Sequence, residues 1–347
     1  MGTLQKIIQV ALIGSVCCFW GGTMVLGLLW TLITKGTGVF QKKERKEEPK
    51  CLQDPGLGAH HFVQLEDVKL HYVASGPEDG PLMVFVHGFP EFWYSWRHQI
   101  REFQSKYRVV SIDMRGYGES EKPSNVSDYN INKLASDIAQ LVSQLGHEKC
   151  VLVGHDWGGA VCWQVAISHP EVVDCLVNCN IPHPAVFAKY MQTHFKQFMM
   201  SWYIFFFQWP CLPELFLGMN DFDFLKQAFS SRKMGIQNQD NRLTEEDLEA
   251  FKYTFQKNGM TAPINYYRSA IRGSLTPPPR STKTPLEMPV LLIWGDKDGA
   301  LAAPMADLSG QYCKDFTLQY VNGASHWVQQ DEPTVVNEVM WEFLNRA

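Results

Sequence analysis

The stretch VLVGHDWGGAV, residues 151 to 161, constrains the fold more than any other part of the chain. Its β-branched apolar run, Val151 to Val153, is what a strand buried on both faces requires, and it feeds straight into Gly154, where a chain can turn sharply. Gly158 and Gly159 then open GGAVCWQVAISHP, which is patterned as a helix. Strand, tight turn and helix in so few residues make the frame of a G-x-S-x-G elbow, which lifts one side chain to the top of a sheet. The serine position is held by Asp156.

The flanking sequence supplies the sheet. HFVQLEDVKLHYVASG reads as a strand hairpin, PLMVFVHGF as a buried strand ending in a loop, and YRVVSIDMRGYGES as another strand. INKLASDIAQLVSQLG carries apolar residues at helical spacing and a glycine stop. Such alternation predicts an α/β protein, with a mostly parallel sheet flanked by helices on both faces. After VDCLVNCNIPHP the rhythm breaks. Residues 185–285 hold aromatic, Met-rich helical segments, among them TEEDLEAFKYTF, where Thr244 and Asp247 predict a capping box. TPPPRSTKTPLEMP ends this excursion and VLLIWGDKD returns to a core strand. The expected division is a core of 59–184 and 286–347, with residues 185–285 as a helical cap inserted over the carboxyl edge of the sheet.

In an open α/β sheet, reactive side chains collect on loops beyond the carboxyl ends of the strands. Two further strands deliver partners for Asp156: LLIWGDKD ends in Asp298, and QYVNGASHW presents His326 on a loop. The chain order nucleophile, acid, histidine is that of the α/β-hydrolase fold. HGFPEFWYSW, GHDWGG, WYIFFFQWP, NYYR, GDKD and SHW together make residues 60 to 345 resemble the epoxide hydrolases of that fold, in particular the membrane-anchored vertebrate members.

That resemblance implies an enzyme that turns epoxides into vicinal diols. It makes Asp156 the nucleophile, forming a covalent hydroxyalkyl ester, and His326, oriented by Asp298, the base that activates water against the ester carbonyl. The carboxylate has a chemical reason: a serine would form an ether that activated water could not readily cleave, whereas an ester turns over. The resemblance further assigns the oxyanion donors to the backbone N–H groups of Phe89 and Trp157, with the Phe89–Pro90 bond cis. It assigns the proton for the departing ring oxygen to Tyr203 and Tyr267. Tyr266 adjoins Tyr267, but helical neighbours face about 100° apart, so one of the pair reaches the site. Of the two acids in GDKD, the family pattern takes Asp298 and leaves Asp296 as a solvated loop residue. A haloalkane dehalogenase shares the Asp nucleophile followed by Trp but needs N–H donors for halide, not phenols. A catalytically dead, membrane-tethered binding protein is the other alternative. No metal or organic cofactor is implied.

Ahead of the globular part, Ile7 to Ile33 runs 27 residues without a charge. At about 1.5 Å per residue this exceeds a hydrocarbon core of roughly 30 Å, and it is too long for a cleaved signal. Residues 1–34 are therefore expected to be a single-pass, uncleaved anchor, and the charged, turn-rich 35–58 a linker. Lys35, Lys42, Lys43, Arg45, Lys46 and Lys50 follow the span while Lys6 precedes it, which leaves the catalytic part in the cytosol. The NVS sequon at Asn125 would be usable only in the lumen. The endoplasmic reticulum is the expected membrane. A net charge of −5 and the lack of a zinc or nucleic-acid motif argue against nucleic acid as a partner. Nine scattered cysteines read as mostly buried, reduced thiols. The aromatic cap, with Trp202, Phe205, Phe206, Phe207 and Trp209, together with the anchor, points to a small lipophilic epoxide drawn from membrane lipid.

Overall fold

A computed structural model describes residues 3–274 and 284–346. Residues 276–283 of the Pro-rich stretch that closes the cap region in the sequence lie outside the described residues. The sheet has eight strands: β1 (Ala59–Gln64), β2 (Lys69–Ser75), β3 (Leu82–Val86), β4 (Arg108–Ile112), β5 (Cys150–His155), β6 (Val173–Cys179), β7 (Val290–Gly295) and β8 (Phe316–Val321). Their order across the sheet is β1-β2-β4-β3-β5-β6-β7-β8. β1 and β2 form the predicted hairpin; β2 is antiparallel to β4, and from β4 onward every pairing is parallel. β3, β5 and β7 are buried along their whole length, as their unbroken apolar runs require.

The chain reverses direction across the sheet at β3: β4 lies on one side of it and β5 on the other. Ligand sites in open sheets form at such a switch, outside the carboxyl ends of the strands. Val86 pairs with Gly154, so the loop after β3 and the turn after β5 emerge side by side. Gly295 pairs with Val321, which does the same for the loops after β7 and β8.

The helices, in chain order, are α1 (Thr3–Lys35), α2 (Arg97–Phe103), α3 (Ile131–Gln144) and α4 (Asp156–Ser168), then α5 (Pro184–Thr193), α6 (Phe195–Met200), α7 (Trp202–Phe206), α8 (Leu212–Ser230), α9 (Glu245–Asn258) and α10 (Thr261–Ser274), and finally α11 (Pro304–Ser309), α12 (Val328–Asp331) and α13 (Pro333–Leu344). α5 to α10 all fall between β6 and β7. α8 is two helical pieces, broken where Asn220, Asp221 and Phe222 take positive φ. α9 starts on the capping box read from the sequence: Thr244 Oγ1 accepts the Asp247 N–H, and the Asp247 carboxylate accepts the Thr244 N–H. All nine cysteines are unpaired, and Cys150, Cys162, Cys175 and Cys179 are buried in the core.

The segment between α1 and β1 is strapped to helices inserted between β6 and β7. Arg45, its side chain 4% exposed, reaches Asp221 at 2.6 Å and Glu249 at 2.9 Å and donates to Gln256 at 2.9 Å. The Lys43 N–H bonds Asp221, and the Cys51 N–H bonds Glu246. The acids of α8 and α9 that receive these bonds lie about 200 residues along the chain, beyond the reach of any local pattern.

Candidate active site

Asp156 stands between β5 and α4 with φ of 48°, a left-handed conformation that an L-residue adopts only when its surroundings impose it. Close packing imposes it here. A Cβ on Gly154 would lie 2.7 Å from Cys162 Sγ, and one on Gly158 would run into the Val86 carbonyl. The side chain is thereby held against the loop after β3. Asp156 Oδ1 accepts the Phe89 N–H at 2.9 Å, and the Phe89–Pro90 peptide bond is cis. The Trp157 N–H follows in the first turn of α4, where backbone N–H groups have no intrahelical acceptor.

Asp156 Oδ2 faces His326 Nε2 at 3.4 Å, and His326 Nδ1 lies 2.8 Å from Asp298 Oδ2. The imidazole is thus clasped between two carboxylates, and it is 2% exposed. Burial pulls its pKa down, but Asp298 and Asp156 outweigh burial and push it up to about 10. Burial likewise raises the Asp156 pKa, and His326, His155 and the Phe89 N–H together bring it below the ordinary carboxylate value. Both shifts favour the charged form of each partner, an imidazolium beside a carboxylate. Asp298 Oδ1 accepts the Ala300 and Leu301 N–H groups, so its carboxylate cannot swing away.

Both tyrosines, Tyr203 and Tyr267, lie within electrostatic reach of Asp156. Tyr203, on α7, and Tyr267, on α10, meet edge to face with ring centroids 5.7 Å apart. Tyr267 also packs against Trp157 at 5.1 Å and Phe89 at 5.3 Å, the residue that follows Asp156 and the residue whose N–H Asp156 accepts. Burial raises both phenols above the ordinary tyrosine value, as does the Asp156 charge, so both stay protonated at neutral pH. Tyr266 is engaged elsewhere: its hydroxyl donates to the Arg115 carbonyl at 2.8 Å. Asp296 stands half-buried in the loop after β7 and accepts the Gly323 N–H at 2.7 Å, tying that loop to the one after β8.

Three residues that the sequence reading passed over hold this arrangement. Asn180, at the end of β6 with φ of 47°, donates to Asp298 Oδ2 at 2.6 Å and accepts the Gly295 N–H at 3.0 Å. Glu91 is fully buried, and its carboxylate accepts the Gly88 N–H at 2.9 Å, pairs with His155 Nδ1 at 2.6 Å and accepts the Gln329 and Gln330 side-chain amides. His155 Nε2 in turn lies 2.8 Å from the His326 carbonyl. One buried acid therefore connects the β3 loop, the elbow and the His326 loop. The available signal was a glutamate set in the aromatic run HGFPEFWYSW, where an ionisable side chain is unlikely to be buried without a partner.

Comparison with known proteins identifies the fold and the family. The family model for the alpha/beta hydrolase fold matches residues 81–333. Epoxide hydrolase 4 of Homo sapiens is 43% identical over 348 aligned residues, covering 99% of this chain and 95% of that one. Epoxide hydrolase 1 of Caenorhabditis elegans is 47% identical, covering 90% of this chain and 76% of its own. Among solved structures, the Bacillus megaterium epoxide hydrolase in complex with an inhibitor superposes with a TM-score of 0.74 at 33% identity, covering 82% of this chain and 100% of that one. Elbow, inserted helices and relatives matched over nearly the whole length lead to one conclusion: the chain belongs to the alpha/beta hydrolase fold family and, within it, to the epoxide hydrolases.

Proposed function

We propose that this protein hydrolyses lipophilic epoxides to vicinal diols through a covalent ester on Asp156. The observation that carries the reading is that two phenols in contact with each other, Tyr203 and Tyr267, pack beside the carboxylate that faces His326, with the Tyr267 ring against Trp157 and Phe89. An Asp156 oxygen attacks an epoxide carbon, the ring C–O bond breaks, and its electron pair stays on the ring oxygen, which takes a proton from a tyrosine. The products are a neutral ester and a tyrosine phenolate. With the Asp156 charge gone, one of the two carboxylates that raise the His326 pKa is lost, and the imidazolium gives up its proton, which restores the phenol.

Neutral His326 then takes a proton from water, which attacks Cγ of Asp156. The negative charge that develops on the carbonyl oxygen falls where Asp156 Oδ1 already receives the Phe89 N–H, with the Trp157 N–H as the second donor. Collapse breaks the ester C–O bond and expels an alkoxide, which takes the proton of the new Asp156 carboxyl group to complete the diol; Asp156 is again a carboxylate beside the imidazolium, and the oxygen of water remains in it. Every step uses side chains of this chain, so no metal or organic cofactor is required. Fatty-acid epoxides are the proposed substrates, delivered from the membrane that α1 anchors in a single pass. The endoplasmic reticulum is the proposed compartment, with the core on the cytosolic side.

The test is one turnover in heavy-oxygen water with enzyme in excess. The Asp156 peptide should gain the label while the first diol carries mostly ordinary oxygen. Label entering the first diol instead would mean direct attack by water and would remove the ester from the mechanism.

A further inference from the structure

The apolar span of α1 runs from Ile7 to Lys35, and the rest of the protein touches it at its middle rather than at its end. The Trp209 indole donates to the Cys17 carbonyl at 2.7 Å, the Trp20 and Trp202 rings meet at a tilt with centroids 5.4 Å apart, and Met24 packs against the core. Gly21, the central residue of the span, is buried, and a Cβ there would run into the Trp209 indole. The missing side chain is what lets the indole reach a helix carbonyl. At about 1.5 Å per residue, this contact lies roughly 21 Å from either end of the span.

Only 11% of the span's most apolar window is buried, and large side chains on both sides of the contact are open, with Leu12 and Phe19 each 62% exposed and Leu26 68% exposed. Lipid is the environment such a helix requires. Lipid that covers Leu12, Phe19 and Leu26 must come up to the line where α1 meets Trp202 and Trp209. The cap helices next to that line present large exposed apolar side chains, with the flexible, exposed Lys196 beside them: Phe195 is 76% exposed and Met199 38% on α6, and Leu215 is 40% exposed on α8. The Arg45 strap fixes α8 and α9 to the segment that follows α1, so helix and cap are held together at a second place.

We propose that the cap is itself seated in the membrane: α6, α7 and the start of α8 lie in the lipid that surrounds α1, and the bilayer is their partner. This rests on the membrane association proposed above and not on the roles assigned around Asp156. On α7, Trp202 touches α1 while its neighbour Tyr203 meets Tyr267. An epoxide dissolved in the bilayer is then one short helix away from the phenols and reaches them without crossing water.

The full chain, with exposed Cys18 and Cys211 changed to Ser, is reconstituted into phosphatidylcholine vesicles and labelled with an environment-sensitive fluorophore at Phe195→Cys, Met199→Cys or Glu148→Cys. Glu148 is exposed at the opposite edge of the sheet, and the parent without an added cysteine gives the background. Labels at 195 and 199 should be quenched several-fold more by spin-labelled phosphatidylcholine than the label at 148, and several-fold less by aqueous iodide. Gly21→Leu keeps α1 apolar but forces it off Trp209; its protein should still sediment with vesicles while the lipid quenching at 195 falls to near the level at 148. Iodide quenching at 195 equal to that at 148 overturns the proposal, as does lipid quenching at 195 no greater than that at 148. Full-length protein left in the supernatant would instead refute the membrane reading beneath it, by a readout separate from both.

Discussion

Replacing Asp298 by Asn keeps the size of the side chain and removes its charge, and the structure gives the size of the effect. The Asp298 carboxylate lies 2.8 Å from His326 Nδ1, with His326 buried. Taking the charge centres as about 4 Å apart at an effective dielectric of about 20, the pair is worth about 4 kcal/mol, which corresponds to about three units on the His326 pKa. Among the groups that oppose burial and raise that pKa, Asp298 is the strongest. There is also a tautomer effect. Ala300 and Leu301 N–H groups occupy the other carboxylate oxygen, so the new amide would turn its NH2 toward His326 and favour the proton on Nε2, the atom that must accept from water. Ester hydrolysis should slow about 10³-fold. Ring opening should change by less than about tenfold, because Asp156 keeps its Phe89 N–H contact. Rapid acid quench followed by mass measurement of the Asp156 peptide should show the ester accumulating to most of the enzyme within one turnover. A fall in kcat of that size with no ester accumulating would refute the reasoning, since it would place the role of Asp298 before the covalent step.

Tyr203→Phe and Tyr267→Phe should each slow ring opening by about 10²-fold or more, read as burst rate in the same assay, and the double variant should be nearly inactive. Tyr266→Phe loses its bond to the Arg115 carbonyl and should cost about 1–2 kcal/mol in urea unfolding while leaving the burst rate within about twofold; a larger kinetic effect than that of Tyr267→Phe would exchange the two assignments. The His326 pKa is raised on folding from 6.5 to about 10, so the folded state holds more protons than the unfolded chain between those values. The clasp should contribute fully to stability below about pH 6.5 and be lost as pH rises toward 10; melting curves of wild type and His326→Gln should converge over that window, and parallel curves would contradict it. Arg45→Ala leaves partly exposed Asp221 and Glu249 without their shared cation and should lower stability by about 1–3 kcal/mol, with unchanged turnover of a water-soluble epoxide.

The sequence by itself determined the elements whose signals are local. Strands β3, β5 and β7 are legible because burial on both faces demands unbroken apolar runs, and the start of α9 is legible because a capping box needs only Thr244 and Asp247, three residues apart. The elbow is legible for the same reason: its glycines relieve clashes at neighbouring strand and helix, so residue type and spacing carry the geometry. Asp156, Asp298 and His326 could be named because each ends a recognisable strand, but their distances depend on the Val86–Gly154 and Gly295–Val321 registers, which are properties of the sheet. Only the tertiary structure decided that Asn180 fastens Asp298, that Glu91 joins three loops, that Tyr266 turns to Arg115 while Tyr267 turns to Tyr203, and that the Arg45 strap and α1 are packed on the cap. In each of these the partners are far apart in the chain. Their meeting is set by where whole elements dock, and no period or spacing in one segment carries the position of another segment folded against it.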